Sequence, residues 1–182
     1  MKYQAGDRAT SLNLPAIDGS DFDTSSLAGR PYMLSFFRFA SCPFCNMRVH
    51  QLVKRFNEFS NDFTIVAVFD SPLANLQEHA TGHHAPFAIL ADESGSAYES
   101  YSIERSILGV LKGMFTRLPT AIRGMCKGYI PTTIQGNMTT MPANFLIDRE
   151  GIIQLAHYGR DEGDHLPIET LIEFCHSQAA KP

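Results

Sequence analysis

Hydrophobic and polar positions along the chain follow two periods. Residues 33–37 (MLSFF), 63–69 (FTIVAVF) and 87–90 (FAIL) are short, nearly continuous apolar runs, as expected of strands covered on both faces. Between the first two, Val49, Leu52, Val53 and Phe56 fall at i, i+3, i+4 and i+7, which predicts a helix opening at Pro43. Asp70-Ser71-Pro72 opens a shorter helix over 72–81, which Gly82 ends. Strand, helix, strand, helix, strand with short links implies a parallel sheet. Upstream, Leu12-Asn13-Leu14, a turn around Asp18-Gly19 and a segment from Phe22 predict a short hairpin within residues 1–30. Downstream, 143–147 (ANFLI), a turn at Asp148-Arg149-Glu150-Gly151 and 152–156 (IIQLA) predict an antiparallel hairpin. A last helix starts near Pro167, with Ile168, Leu171, Ile172 and Cys175 on one face.

Residues 102–140 break this rhythm. Ile107, Leu108, Val110, Leu111, Met114, Phe115 and Leu118 fit one apolar helical face, and Pro119 is expected to stop that helix. Between Arg105 and Ile147 stand five basic residues (Arg105, Lys112, Arg117, Arg123, Lys127) and no acidic one. The ordinary reading is a helix packed on the core with a solvated basic edge. Three sharper readings are a lid over a site, a dimer face, or a basic amphipathic helix on an anionic surface.

Composition narrows the function classes. The 182 residues are 44% hydrophobic, enough for a domain with a core and too apolar for a disordered chain. A net charge of −4 gives no global basic field for nucleic acid. No apolar run reaches the ~18 residues of a membrane span, and residues 1–7 carry no apolar leader. Four cysteines without a secretory leader point to a reducing compartment, the cytoplasm.

The candidate chemistry lies at Cys42-Pro43-Phe44-Cys45, where the first strand gives way to the first long helix. Pro43 suits the first helical position, which puts Cys42 at the N-cap, where free N–H groups and the helix dipole favour a thiolate. Cys42 is therefore the candidate attacking thiol, expected to be the more exposed of the pair, and Cys45 at i+3 the resolving thiol. Arg38 and Arg48 add positive charge nearby. Cys175 reads as core. Cys126 reads as a small buried apolar residue, or a second resolving thiol if its segment folds over the site. A metal centre is disfavoured: there is no second CxxC, and His79 and His83 are separated by Gly82, which leaves them as solvated helix-end residues. His50 reads as a surface residue.

The order of strand, CPFC at a helix start, strand, helix, then Met141-Pro142 ahead of Phe145-Leu146-Ile147-Asp148 and a hairpin resembles the thioredoxin fold. The N-terminal hairpin and residues 142–151 (PANFLIDREG) resemble the peroxiredoxin-like members of the alkyl hydroperoxide reductase / thiol-specific antioxidant family. The likeness covers most of the chain outside about 103–136. It implies a single α/β, thioredoxin-like domain over 1–182: a mixed central sheet with helices on both faces, an N-terminal hairpin and a helical insertion. It also implies a cis Met141–Pro142 bond that brings the Met141 backbone beside the cysteines to hold an extended thiol substrate.

The sequence departs from the family's P-x-x-x-T-x-x-C pattern. With Cys45 in the attacking position, Cys42 and Arg38 replace Thr and Pro; with Cys42 there, Phe39 and Ser35 do. Residues 139–144 also lack the family's late arginine, whose charge Arg38 is placed to supply from another direction. The resulting expectation is a thiol–disulfide oxidoreductase or thiol-dependent peroxidase. Its substrate is a peroxide or disulfide, its reductant a thiol system such as thioredoxin or glutathione, and it needs no metal or organic cofactor. A homodimer is one arrangement open to it. The alternative is a redox-sensing binding module whose 103–136 segment docks on a partner or an anionic membrane.

Overall fold

A computed structural model describes residues 1–129 and 133–179, apart from the side chains of Met114, Phe115 and Ala121. Its centre is a five-stranded sheet in the order β5-β4-β3-β6-β7: β3 (Tyr32–Phe36), β4 (Thr64–Phe69), β5 (Ala88–Ala91), β6 (Ala143–Ile147) and β7 (Ile153–Tyr158). β3, β4 and β5 run parallel, and β6 pairs antiparallel with both β3 and β7. A separate antiparallel pair, β1 (Asn13–Pro15) and β2 (Asp21–Asp23), forms the predicted N-terminal hairpin.

The period of two in β3 divides the core. Met33 and, just beyond the strand, Phe37 face one side with Val49, Leu52, Leu76 and Leu171 of α1 (Pro43–Lys54), α2 (Leu73–Ala80) and α6 (Ile168–Ala179). Leu34 and Phe36 face the other, with Leu14, Phe145, Tyr98 and Tyr101 at the hairpin and the short α3 (Ser96–Ser100). Both faces of β3 are buried, which accounts for its unbroken apolar sequence.

The insertion differs from its sequence expectation. It forms two helices, α4 (Ile107–Thr116) and α5 (Leu118–Cys126), with Pro119 in the first turn of the second. Proline therefore starts a helix here rather than stopping one: its missing N–H falls among donors that have no intrahelical partner anyway. The apolar face is not core. Ile107, Leu108, Leu111 and Leu118 are exposed, while Gly109 and Gly113 turn inward. The expectation for Met114 and Phe115 lies outside the described side chains.

Candidate active site

β3 runs into Phe37-Arg38-Phe39, and the chain turns at Ala40-Ser41 to start α1. Cys42 is the N-cap of α1 and Pro43 its first residue, as the sequence predicts. Asn46 locks this turn: its side-chain amide donates to the Ala40 and Cys42 carbonyls at 2.7 and 3.0 Å. His83 meets the Asn46 side-chain oxygen through Nε2 at 2.7 Å.

Arg38 connects the two sulfurs. Its backbone N–H donates to Cys45 Sγ at 3.4 Å and its Nη1 approaches Cys42 Sγ at 3.7 Å. Its Nη2 donates to the Met138 carbonyl, and its buried Nε has no hydrogen-bond partner among the described residues. Burial opposes ionisation of Cys42. The Cys45 thiol hydrogen bond, the Arg38 charge and the Cys45 and Phe44 N–H groups at the helix start outweigh it, bringing the Cys42 pKa down to about 6. Cys45 goes the other way: burial, its hydrogen bond to Cys42 and the charge on Cys42 hold its pKa well above that of an ordinary thiol.

Cys42 is not the more exposed thiol; both sulfurs are fully buried. The insertion packs over the turn that carries them. Gly124 of α5 lies so close to α1 that a Cβ there would sit 3.0 Å from Pro43 Cβ. The return segment is held by its backbone: Ser41 Oγ donates to the Thr133 carbonyl at 3.0 Å, Ser71 Oγ to Gln135 at 3.2 Å, and Arg38 to Met138. Gly136, with φ +115°, presses on the Asp70 carbonyl.

Other expected site features take a different form. The Met141–Pro142 bond is trans, because no described peptide bond is cis. In this lower-energy isomer the Met141 N–H donates to the Glu104 carbonyl at 2.8 Å, and the Pro142 carbonyl accepts from Gly159 at 2.8 Å. Arg48 turns away from the sulfurs and donates to the Leu166 carbonyl at 2.5 Å. Cys126 is exposed rather than buried, while Cys175 is buried as expected. His79 and His83 are not solvated: His79 Nε2 is buried with no hydrogen-bond partner among the described residues, the Glu78 carboxylate lying 4.0 Å away, and His83 is half-buried on Asn46, where burial and the neighbouring His50 lower its pKa to about 4. His50 is itself half-buried. No group of three or more potential metal ligands exists among the described residues.

Glu162 escapes a sequence reading. Its carboxyl is buried against Gly113, one oxygen has no hydrogen-bond partner among the described residues, and burial raises its pKa against the pull of Arg38. No local motif marks it, because it meets Arg38 and Gly113 only through the fold.

The family model described as AhpC/TSA matches residues 5–156. Among solved structures, peroxidoxin BcpB from Mycobacterium tuberculosis superposes with a TM-score of 0.70 at 16% identity, covering 98% of this chain and 99% of that one. A thiol peroxidase from Chromobacterium violaceum gives 0.67 at 13%, covering 97% and 88%. A thiol:disulfide interchange protein from Chlorobium tepidum gives 0.54 at 20%, covering 96% and 99%. At these identities the structural likeness speaks for the fold. No curated protein matches the chain significantly.

Proposed function

The chain belongs to the AhpC/TSA family and is a thiol-dependent oxidoreductase; from that premise we propose that Cys42 attacks the substrate and Cys45 resolves the product. The observation that carries this reading is the opposite tuning of two adjacent sulfurs around one guanidinium: Cys42 is acidified to about 6 while Cys45 keeps its proton.

With a peroxide ROOH, the Cys42 thiolate attacks the distal oxygen. The O–O bond breaks, Cys42 becomes a sulfenic acid, and RO⁻ takes up a proton to leave as the alcohol. With a disulfide, the thiolate forms a mixed disulfide and expels one thiolate. Either event removes the charge and the acceptor that hold the Cys45 proton. Burial still disfavours the Cys45 thiolate, but Arg38 now favours it. Cys45 then attacks Cys42 sulfur, releasing water or the second thiol and closing the Cys42–Cys45 disulfide. A dithiol reductant of the thioredoxin type, or two equivalents of glutathione, returns both electrons. Pro142 and the Met141 backbone are proposed to border the substrate, with Arg38 facing its reacting atom. The cysteine usage favours the cytoplasm as the compartment.

Steady-state assays with peroxide or a model disulfide plus excess dithiol test this reading. Cys42→Ser is expected to abolish turnover of both. Cys45→Ser, treated with the oxidant in the absence of the dithiol, is expected to react once and stop as a sulfenic acid or mixed disulfide visible by intact mass, where the wild type closes its disulfide. Full turnover by Cys42→Ser would overturn the assignment.

A further inference from the structure

Both insertion helices carry their amphipathicity inside out. Gly113 of α4 presses on the Glu162 carboxyl. A Cβ at Gly109 would lie 2.7 Å from Met141 Sδ, and one at Gly124 of α5 would lie 3.3 Å from Met47 Cγ. The helices meet the body along these small residues and turn their large apolar ones outward. Leu108 is 79% exposed, Ile107 68%, Leu118 53% and Ile122 51%, with Leu111 and Met125 beside them. Apart from Met1, every large hydrophobic residue that is strongly exposed among the described residues lies between 107 and 138. Isolated exposed apolar residues are ordinary; a cluster of this kind marks a contact surface.

The charge on this face selects the occupant. Lys112, Arg123 and Lys127 are exposed on or next to the same helices, and Arg105 stands just ahead of α4. None of the four is ion-paired among the described residues. No acidic residue occurs from 105 to 147, and since the whole chain carries −4, the remainder carries −9. A two-fold contact with a second copy would set these cations against each other. The outward face is a bend of two helices joined at Arg117 alone, and its apolar residues project from it into solvent. An apolar crest rimmed by cations suits a soft anionic surface that needs no complementary hollow. The negative remainder of the chain is repelled by the same surface and fixes the orientation.

We propose that the outer face of α4 and α5 docks on an anionic bilayer, burying Leu108, Leu111, Leu118 and Ile122 at the acyl boundary with Lys112, Arg123 and Lys127 among the headgroups. The proposal does not depend on the thiol chemistry. Co-sedimentation of the full chain with vesicles tests it, comparing phosphatidylcholine alone with an equal mixture of phosphatidylcholine and phosphatidylserine. The expected result is salt-sensitive binding to the mixed vesicles only. Leu108→Ser with Ile122→Ser, and separately Lys112→Glu with Lys127→Glu, should each lower partitioning by roughly tenfold or more. All these side chains are exposed, so circular dichroism and the Cys42 alkylation rate should stay as in the wild type. Absence of binding, equal binding to neutral vesicles, or a soluble dimer that the same substitutions dissociate would overturn it.

Discussion

The guanidinium of Arg38 directs Nη1 at the sulfur of Cys42 across 3.7 Å, four residues before it in the chain. The strand end and the helix start thus act on one atom. An opposite charge at such range lowers a pKa by roughly 1–3 units. Arg38→Met should therefore raise the Cys42 pKa by roughly 1–2 units, with Arg38→Lys intermediate. Alkylation rate against pH, mapped by mass to Cys42, reads this directly. An unchanged profile would assign the acidity to the Cys45 thiol and the helix start without Arg38.

Wild-type Cys42 should alkylate with a midpoint near its pKa of about 6, while Cys45 stays unreactive to much higher pH. The stability consequence has a defined sign. Folded Cys42 binds fewer protons than an unfolded thiol, whose pKa is ~8.5, so its contribution is complete above that value and disappears as pH falls through about 6. Folded Cys45 retains its proton above pH ~8.5 where the unfolded thiol loses it, so its contribution declines there. Urea denaturation of the wild type and of Cys42→Ala across pH 5 to 8 should show the pH dependence reduced in the variant.

His83 makes a second acid-sensitive contribution. Its pKa of about 4, set by burial and by His50, lies below the unfolded value of 6.5. The unfolded chain takes up the proton first, so stability is complete above pH 6.5 and is lost as pH falls toward 4. Allowing for partial exposure, the loss should be on the order of 1–2 kcal/mol. The ring NMR resonances of His83 and denaturation midpoints in that window measure it. A His83 that titrates near 6.5 would refute the buried contact with Asn46.

Gly136→Ala should loosen the cover over the cysteines. A side chain there is strained at φ +115° and meets the Asp70 carbonyl. The expected cost is about 2 kcal/mol or more, borne by the segment rather than by the sheet. Cys42 alkylation at fixed pH should then accelerate. Slower or unchanged alkylation in a variant that melts like the wild type would count against the role of residue 136 as an anchor.

Much of the fold was legible in the sequence because its signals are local. The apolar runs at β3 and β4, the helical spacing of Val49, Leu52, Val53 and Phe56, and Pro43 after Cys42 each follow from neighbours in the chain. The site was half legible. That Cys42 caps α1 follows from Pro43; that Arg38 reaches its sulfur does not, because the geometry of the Ala40-Ser41 turn decides it. The burial of Cys42 could not be read locally either, since Gly124 and residues 133–138 pack over the turn that carries it. The orientation of the insertion is hidden for a related reason. An apolar helical stripe looks the same whether it faces a core or solvent, and here the glycines at 109, 113 and 124 settle the orientation. The backbone on either side of the trans Met141–Pro142 bond is held by distant partners, Glu104 and Gly159, which no local motif announces.

Ser41, Asn75, Ser71 and Arg38 all grasp residues 133–138 by peptide oxygens. Every amino acid supplies that oxygen. Provided Gly136 is kept, mutation can redecorate the exterior of this strap without unfastening it. The outward character of the cover and the closure of the thiol chamber are thus free to evolve separately.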